Sequence, residues 1–185
     1  MARVRLNETK DVAESHRWLF ERMDKGGATL NIFRAMSHSP EALLRFMRFG
    51  NYLLTEGKLN AGLRELAILR VGWLCRAPYE FSQHIAFGRR AGLSDAQIRA
   101  VTDPNTRMFD AKQMAVMSYA GELTSDAHAS DATYAAVAQF LNEEEIVELT
   151  LVIGFYNLVS RTLNALEVDV DAPARADLQN LGVEL

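Results

Sequence analysis

Two glutamates, a tyrosine and a histidine lie within twenty residues of one another in this chain, and they are the groups best able to move a proton. Glu80 and His84 are four apart, so they share one face of the helix that Pro78 opens. Tyr79 falls in that helix's first turn, and Glu65 lies on the helix before it. The segment Arg76-Ala77 breaks the two helices apart and lets them fold back on each other. At about 1.5 Å per residue, Glu65 lies roughly 15 Å before the break and His84 roughly 10 Å after it. An antiparallel pair can therefore bring two carboxylates, an imidazole and a phenol to one point. A histidine flanked by carboxylates has its charged form favoured and its tautomer fixed, as acid-base work requires. The plain alternative is a surface ion pair, the usual fate of a Glu-x-x-x-His pair on a helix. Against it, Glu65 sits amid Leu63, Leu66 and Ile68, and a carboxylate in such company is seldom buried without a partner.

Cys75 is the only cysteine, so no disulfide can form within the chain. One reading makes it a small buried apolar residue at a helix end. The other makes it a single peroxidatic thiol, acidified by Arg76 and resolved by an external thiol. Glu80-x-x-x-His84 is half of a possible metal site, but no second half follows in the sequence, and no metal or cofactor is expected. His16, His38 and His128 are scattered and read as surface or capping groups.

The elements that must position these residues are helices. Expected spans are about 9–25 (ending at Gly26-Gly27), Ser39-Pro40 to Gly57, 61–75 after an Asn60 cap, Pro78 to Gly92, and a short one behind Ser94-Asp95-Ala96-Gln97. Three more are expected at about 107–124, from near Asp131, and from the Asn142 cap to about 165. The pattern Leu93-Ser94-x-x-x-Ile98 returns as Leu141-Asn142-x-x-x-Ile146, two capped restarts of the chain. The prolines Pro40, Pro78, Pro104 and Pro173 all fall near helix starts. No hairpin turn or sustained alternation signals a strand. The fold class expected is all-α, one domain over 1–185 with seven to eight helices.

The 185 residues are 49% hydrophobic and 24% charged with a net charge of −4, an ordinary globular composition without the basic stripe of a nucleic-acid binder. The N-terminal residues have no apolar core of a signal peptide, and no uninterrupted apolar run approaches a membrane span. A cytoplasmic protein with a small-molecule substrate, and with neither nucleic acid nor membrane as partner, is expected. The helix after Asn142 is apolar nearly all round, which predicts a second buried side and hence self-association.

The stretch Arg64-Glu65-Leu66 to His84 resembles the signature of the carboxymuconolactone decarboxylase and alkylhydroperoxidase D superfamily. Alkylhydroperoxidase D members carry Glu, then Cys-x-x-Cys, then His one helical turn later, with nineteen residues from Glu to His. Glu65 and His84 have the same separation, and the intervening tyrosine falls on Tyr79. The two cysteine positions fall on Ala77 and Glu80, so the relay residues match and the redox pair is absent. A glutamate at the second cysteine position is the pattern of the decarboxylase-like branch. Gly92-Leu93-Ser94 with Ile98, and Tyr156-Asn157-Leu158-Val159 with Arg161 and Leu163-Asn164-Ala165-Leu166, extend the likeness over about 37–168.

The resemblance implies an alkylhydroperoxidase D-like helical bundle, assembled as a homotrimer or hexamer. It implies a lyase acting by acid-base chemistry on a small carboxylated lactone, with Glu65, Tyr79, Glu80 and His84 as catalytic groups. Arg70 or Arg161 would then hold the substrate carboxylate. Its alternatives are a thiol peroxidase using Cys75, and a relative that only binds a small ligand.

Overall fold

The computed structural model describes residues 1–27, 29–103 and 107–185. Among the described residues there are ten α-helices and no strand. They are α1 (Glu14–Lys25), α2 (Asn31–Met36), α3 (Pro40–Thr55), α4 (Ala61–Leu74), α5 (Pro78–Arg90), α6 (Asp95–Ala100), α7 (Ala111–Ser125), α8 (Asp131–Ala138), α9 (Glu143–Leu166) and α10 (Ala172–Leu181). The all-α expectation is met, and the starts follow cap chemistry. Asn60 accepts from the Gly62 and Leu63 amides, and Ser94, Asp110 and Asn142 each close a full capping box.

Three differences from the sequence reading have local causes. The first helix begins at Glu14, because a 3-10 turn at Thr9–Asp11 ends in extended backbone at Val12. Helix α2 starts at Asn31 behind Leu30, which gives no side-chain cap, so nothing in its sequence announces it. Helix α10 follows Asp171, and Pro173 in its first turn is its sequence cue. The expected helix start near Pro104 lies outside the described residues.

Helix α4 is the axis of the bundle, lying against α5, α7 and α9. Leu66, Ala67, Ile68, Leu69 and Val71 are all fully buried, so this helix has no wet face between them. Its exit is sharp. Arg76 takes a left-handed conformation (φ 48°), and the Ala77 amide reaches back to the Gly72 carbonyl at 2.9 Å. Asn164 on α9 donates to the Cys75 carbonyl at 2.8 Å, satisfying an acceptor that the end of α4 leaves open. Gly72 lets α5 pass close by, since a β-carbon there would lie 3.2 Å from the Phe81 amide nitrogen.

Helix α9 is long and apolar enough to cross a membrane, yet 56% of its apolar window is buried among the other helices, as befits a core helix. Its outer side leaves Val147, Leu151 and Leu158 exposed. On its inner side Glu148 is a buried carboxylate with a structural task. It accepts from the Lys58 and Leu59 amides at 2.7 and 2.8 Å and so ties the α3–α4 turn to α9. Glu148→Ala strands those donors, and a loss of about 2–3 kcal/mol in urea unfolding is expected. An unchanged midpoint would show that the turn does not depend on this carboxylate.

Candidate active site

The corner between α4 and α5 delivers Glu65 to His84. His84 Nδ1 lies 2.6 Å from Glu65 Oε2, and His84 Nε2 lies 3.0 Å from Glu80 Oε1. All three are buried: Glu65 is 1% exposed, Glu80 4% and His84 5%. The protonated ring donates from both nitrogens, one to each acid. Burial alone pushes the imidazole toward neutrality, but Glu65 and then Glu80 outweigh it, and its pKa is raised to about 10. Arg64 donates to the other oxygen of Glu65 at 3.3 Å. The two acids address opposite edges of one ring, so they do not converge on a common point for a metal. Among the described residues no cluster of three or more ligating side chains is suited to hold one.

Aromatic rings fix the imidazole plane. Tyr156 packs edge-on against it with centroids 4.8 Å apart, and Phe87 stacks on it at 5.0 Å. Burial, Glu80 and Glu65 in that order hold the Tyr156 phenol well above its ordinary pKa, so it stays protonated. His84 and Glu80 open onto a cavity of about 230 Å³ between α2, α3, α5 and α9. Its walls are mostly apolar, with Phe33, Phe46, Phe155 and Tyr156 prominent. Glu65 does not line it and stands behind the histidine.

Tyr79 lines the same cavity as Glu80 and His84, with its hydroxyl engaged elsewhere. That hydroxyl donates to Asp171 at 2.5 Å and accepts from the Ile32 amide at 3.1 Å. Burial and then the Asp171 bond hold this phenol far above its ordinary pKa. The group joins α2, α5 and the start of α10 and does not share the imidazole's acids. Gln83 donates to the same Asp171 oxygen at 2.8 Å.

The expected anchors are displaced. Arg70 lines a separate groove with Met114 and Met117 and donates to the Val101 carbonyl at 2.7 Å, while Arg161 is exposed. Neither lines the cavity beside His84. Cys75 does not line it either. Burial pushes its thiol pKa up, and the partial offset comes from Arg161 and Ser160, not from Arg76.

Sequence reasoning passed over Tyr156 and Phe155 as site residues, although the first stood inside a noted motif. It passed over Asp171 for lack of any signal beyond a helix start.

The carboxymuconolactone decarboxylase family profile matches residues 40–122, the segment that holds the whole Glu65–His84–Glu80 arrangement. Over that segment the chain resembles the carboxymuconolactone decarboxylase family, and over most of its length it has the AhpD-like fold. Its fold is that of an alkylhydroperoxidase AhpD core protein from Ralstonia eutropha JMP134, described as an uncharacterized peroxidase-related protein (TM-score 0.82, 18% identity, 94% of each chain). A similar peroxidase-related protein from Silicibacter sp. TM1040 superposes with TM-score 0.81 at 21% identity, over 94% of this chain and 93% of that one. The debrominase Bmp8, in complex with 2,3,4-tribromopyrrole, superposes with TM-score 0.78 at 17% identity, over 92% and 95%. These likenesses are of fold. No curated protein matches the sequence.

The charged imidazole makes stability depend on pH. Its folded pKa lies above the unfolded value of 6.5, so its contribution is complete below that value and is lost as pH rises through about 10. The urea midpoint of the native protein should fall between pH 7 and pH 10, and His84→Gln should flatten that slope. Parallel slopes for the two proteins would show that His84 is neutral when folded.

Proposed function

We propose that this protein is an acid-base enzyme of carboxymuconolactone decarboxylase type, a lyase or isomerase that moves a proton to or from carbon of a small ring substrate. The observation that carries this reading is the imidazole of His84, held between two buried carboxylates at the wall of an apolar cavity. Glu65 fixes Nδ1–H from behind, which leaves the Nε2–H, shared with the Glu80 carboxylate, as the exchangeable proton facing the cavity. Tyr156, kept protonated, is the candidate donor to an oxyanion formed on the substrate. Tyr79, with its hydroxyl held by Asp171, positions α2 and α5 around the cavity.

In the decarboxylase form of this reading, loss of CO₂ from a carboxylated lactone leaves electrons in the ring and its carbonyl, and His84 returns a proton to carbon. That form asks for a cation beside the leaving carboxylate. Arg70 and Arg161 do not supply one, so the reading keeps the proton transfer and drops those two anchors. A thiol peroxidase is disfavoured, because the Cys75 thiol is made less acidic and lies away from the imidazole's cavity.

The test is turnover of a panel of unsaturated ring lactones and ketones. His84→Ala should lower the rate by about 10²-fold or more, the usual range for a lost general acid or base. Cys75→Ser should leave it unchanged. Full activity in His84→Ala, or turnover of peroxide abolished by Cys75→Ser, would overturn the reading.

We also propose that the chain self-associates, as a homotrimer or hexamer. The exposed Val147, Leu151 and Leu158 on α9 and Phe49 on α3 support it. Light scattering should give a mass at least three times 20.7 kDa at micromolar concentration, and a stable monomer would refute it.

A further inference from the structure

We infer that the cavity beside His84 takes an uncharged, flat, single-ring molecule, neither an organic anion nor a cation. This rests on the proposed proton-transfer role of the site, sets aside the carboxylated-lactone form of that reaction, and is read from different observations, the cavity's size and the charges on its wall.

Size comes first. An apolar cavity of roughly 150 Å³ admits benzene, so about 230 Å³ holds one ring with one or two small substituents. Aromatic side chains contributed by four elements give the space flat faces, which suit offset or edge-on packing with a ring.

Charge comes second. Among the described residues no lysine or arginine lines the cavity. Two of the cations near its lining residues are engaged elsewhere. Arg64 is bonded to Glu65, and the Arg90 guanidinium lies 4.3 Å from the centre of the Phe87 ring. A carboxylate entering here would give up its water, find the imidazolium of His84 already paired with two acids, and face Glu80. An ammonium would find Glu80 already neutralised by His84 at 3.0 Å, and would lie beside the imidazolium. An uncharged ring avoids both penalties, and a carbonyl or hydroxyl on its edge meets the polar end at Glu80 and His84.

Gly50 sets the size of the space. It stands in the middle of α3, where glycine is a poor helix former, and a β-carbon there would come 3.0 Å from the tip of the Phe155 ring. Any larger residue must displace that ring, which is itself part of the cavity wall. Gly50 is therefore assigned as a specificity-determining position.

The experiment is calorimetric titration of the whole protein at pH 7 with three probes of one shape and three charges: p-cresol, 4-methylbenzoate and 4-methylbenzylammonium. The expected result is p-cresol binding with a Kd of about 1 mM or tighter, in line with what a ligand of this size achieves, and at least tenfold tighter than either ion. Gly50→Ala should weaken p-cresol binding about fivefold or more while its melting temperature stays level or rises, because alanine favours the helix. Should Gly50→Ala melt lower, Phe155→Leu serves as the second variant, and it too should change p-cresol affinity by fivefold or more. Benzoate or ammonium binding as tightly as cresol, cresol binding that neither variant moves, or no cresol binding would overturn the inference. Binding is read without turnover, so a failure of His84 as the proton-transfer group leaves this result standing, and the reverse holds too.

Discussion

A carboxylate that is 1% exposed, on a helix buried along most of its length, needs cationic partners, and Glu65 has His84 at 2.6 Å on one oxygen and Arg64 at 3.3 Å on the other. Leaving Glu65 or His84 without the other would strand a charge in the interior, at a cost of several kcal/mol. His84 stands nineteen residues away, across a corner, so the corner's geometry is set by this requirement. Left-handed Arg76 turns the chain, Gly72 lets α5 approach, and Asn164 satisfies the carbonyl that the turn leaves open. Glu80 then completes the group from the first turn of α5, where a helix N-terminus tolerates an acid. Three ionised side chains are thus accommodated in a small apolar bundle, because each hydrogen-bonds another.

What could be read from the sequence was what is local. Glu80 and His84 meet because they are one turn apart, and Glu65 meets them because a single helix corner relates the two elements. Cap residues marked most helix starts for the same reason, since an Asn142 or Ser94 announces its helix within three residues. Helix α2 offered no such residue. The partner of the Tyr79 hydroxyl, Asp171, was not legible because it lies 92 residues away, and nothing near Tyr79 says which way the phenol will turn. Arg70 and Arg161 failed as anchors for a related reason. Their charge is visible in sequence, but the face of the helix that meets the cavity is decided by packing. Arg70 turns to the Val101 carbonyl and Arg161 to the surface.

The same distinction separates the site's chemistry from its cavity. The imidazole and its acids come from α4 and α5, which the helix corner holds together. The cavity walls come from α2, α3 and α9 as well, brought in by long-range contacts such as Phe46 with Phe155 and Tyr79 with the Ile32 amide. The helix corner therefore positions the proton-handling group, while the cavity is shaped by residues outside that corner, with Gly50 and Phe155 as the clearest of them.

The raised pKa of His84 also limits the reactions open to the site. An acid that holds its proton up to about pH 10 gives it readily only to a strongly basic acceptor. A weakly basic leaving group would gain little from it, whereas an enolate or carbanion carbon is basic enough to take the proton from Nε2. Glu80 shares that hydrogen bond, so as the proton leaves, the ring becomes neutral and its attraction to both acids falls. Burial favours that outcome, since the neutral imidazole is the form an apolar interior prefers. Desolvation and ion pairing thus oppose each other at one side chain, and the proposed transfer to carbon would exchange one for the other. This balance suits a ring whose carbonyl conjugates with the reacting carbon, because such a substrate offers the basic centre only after the bond at that carbon has begun to break.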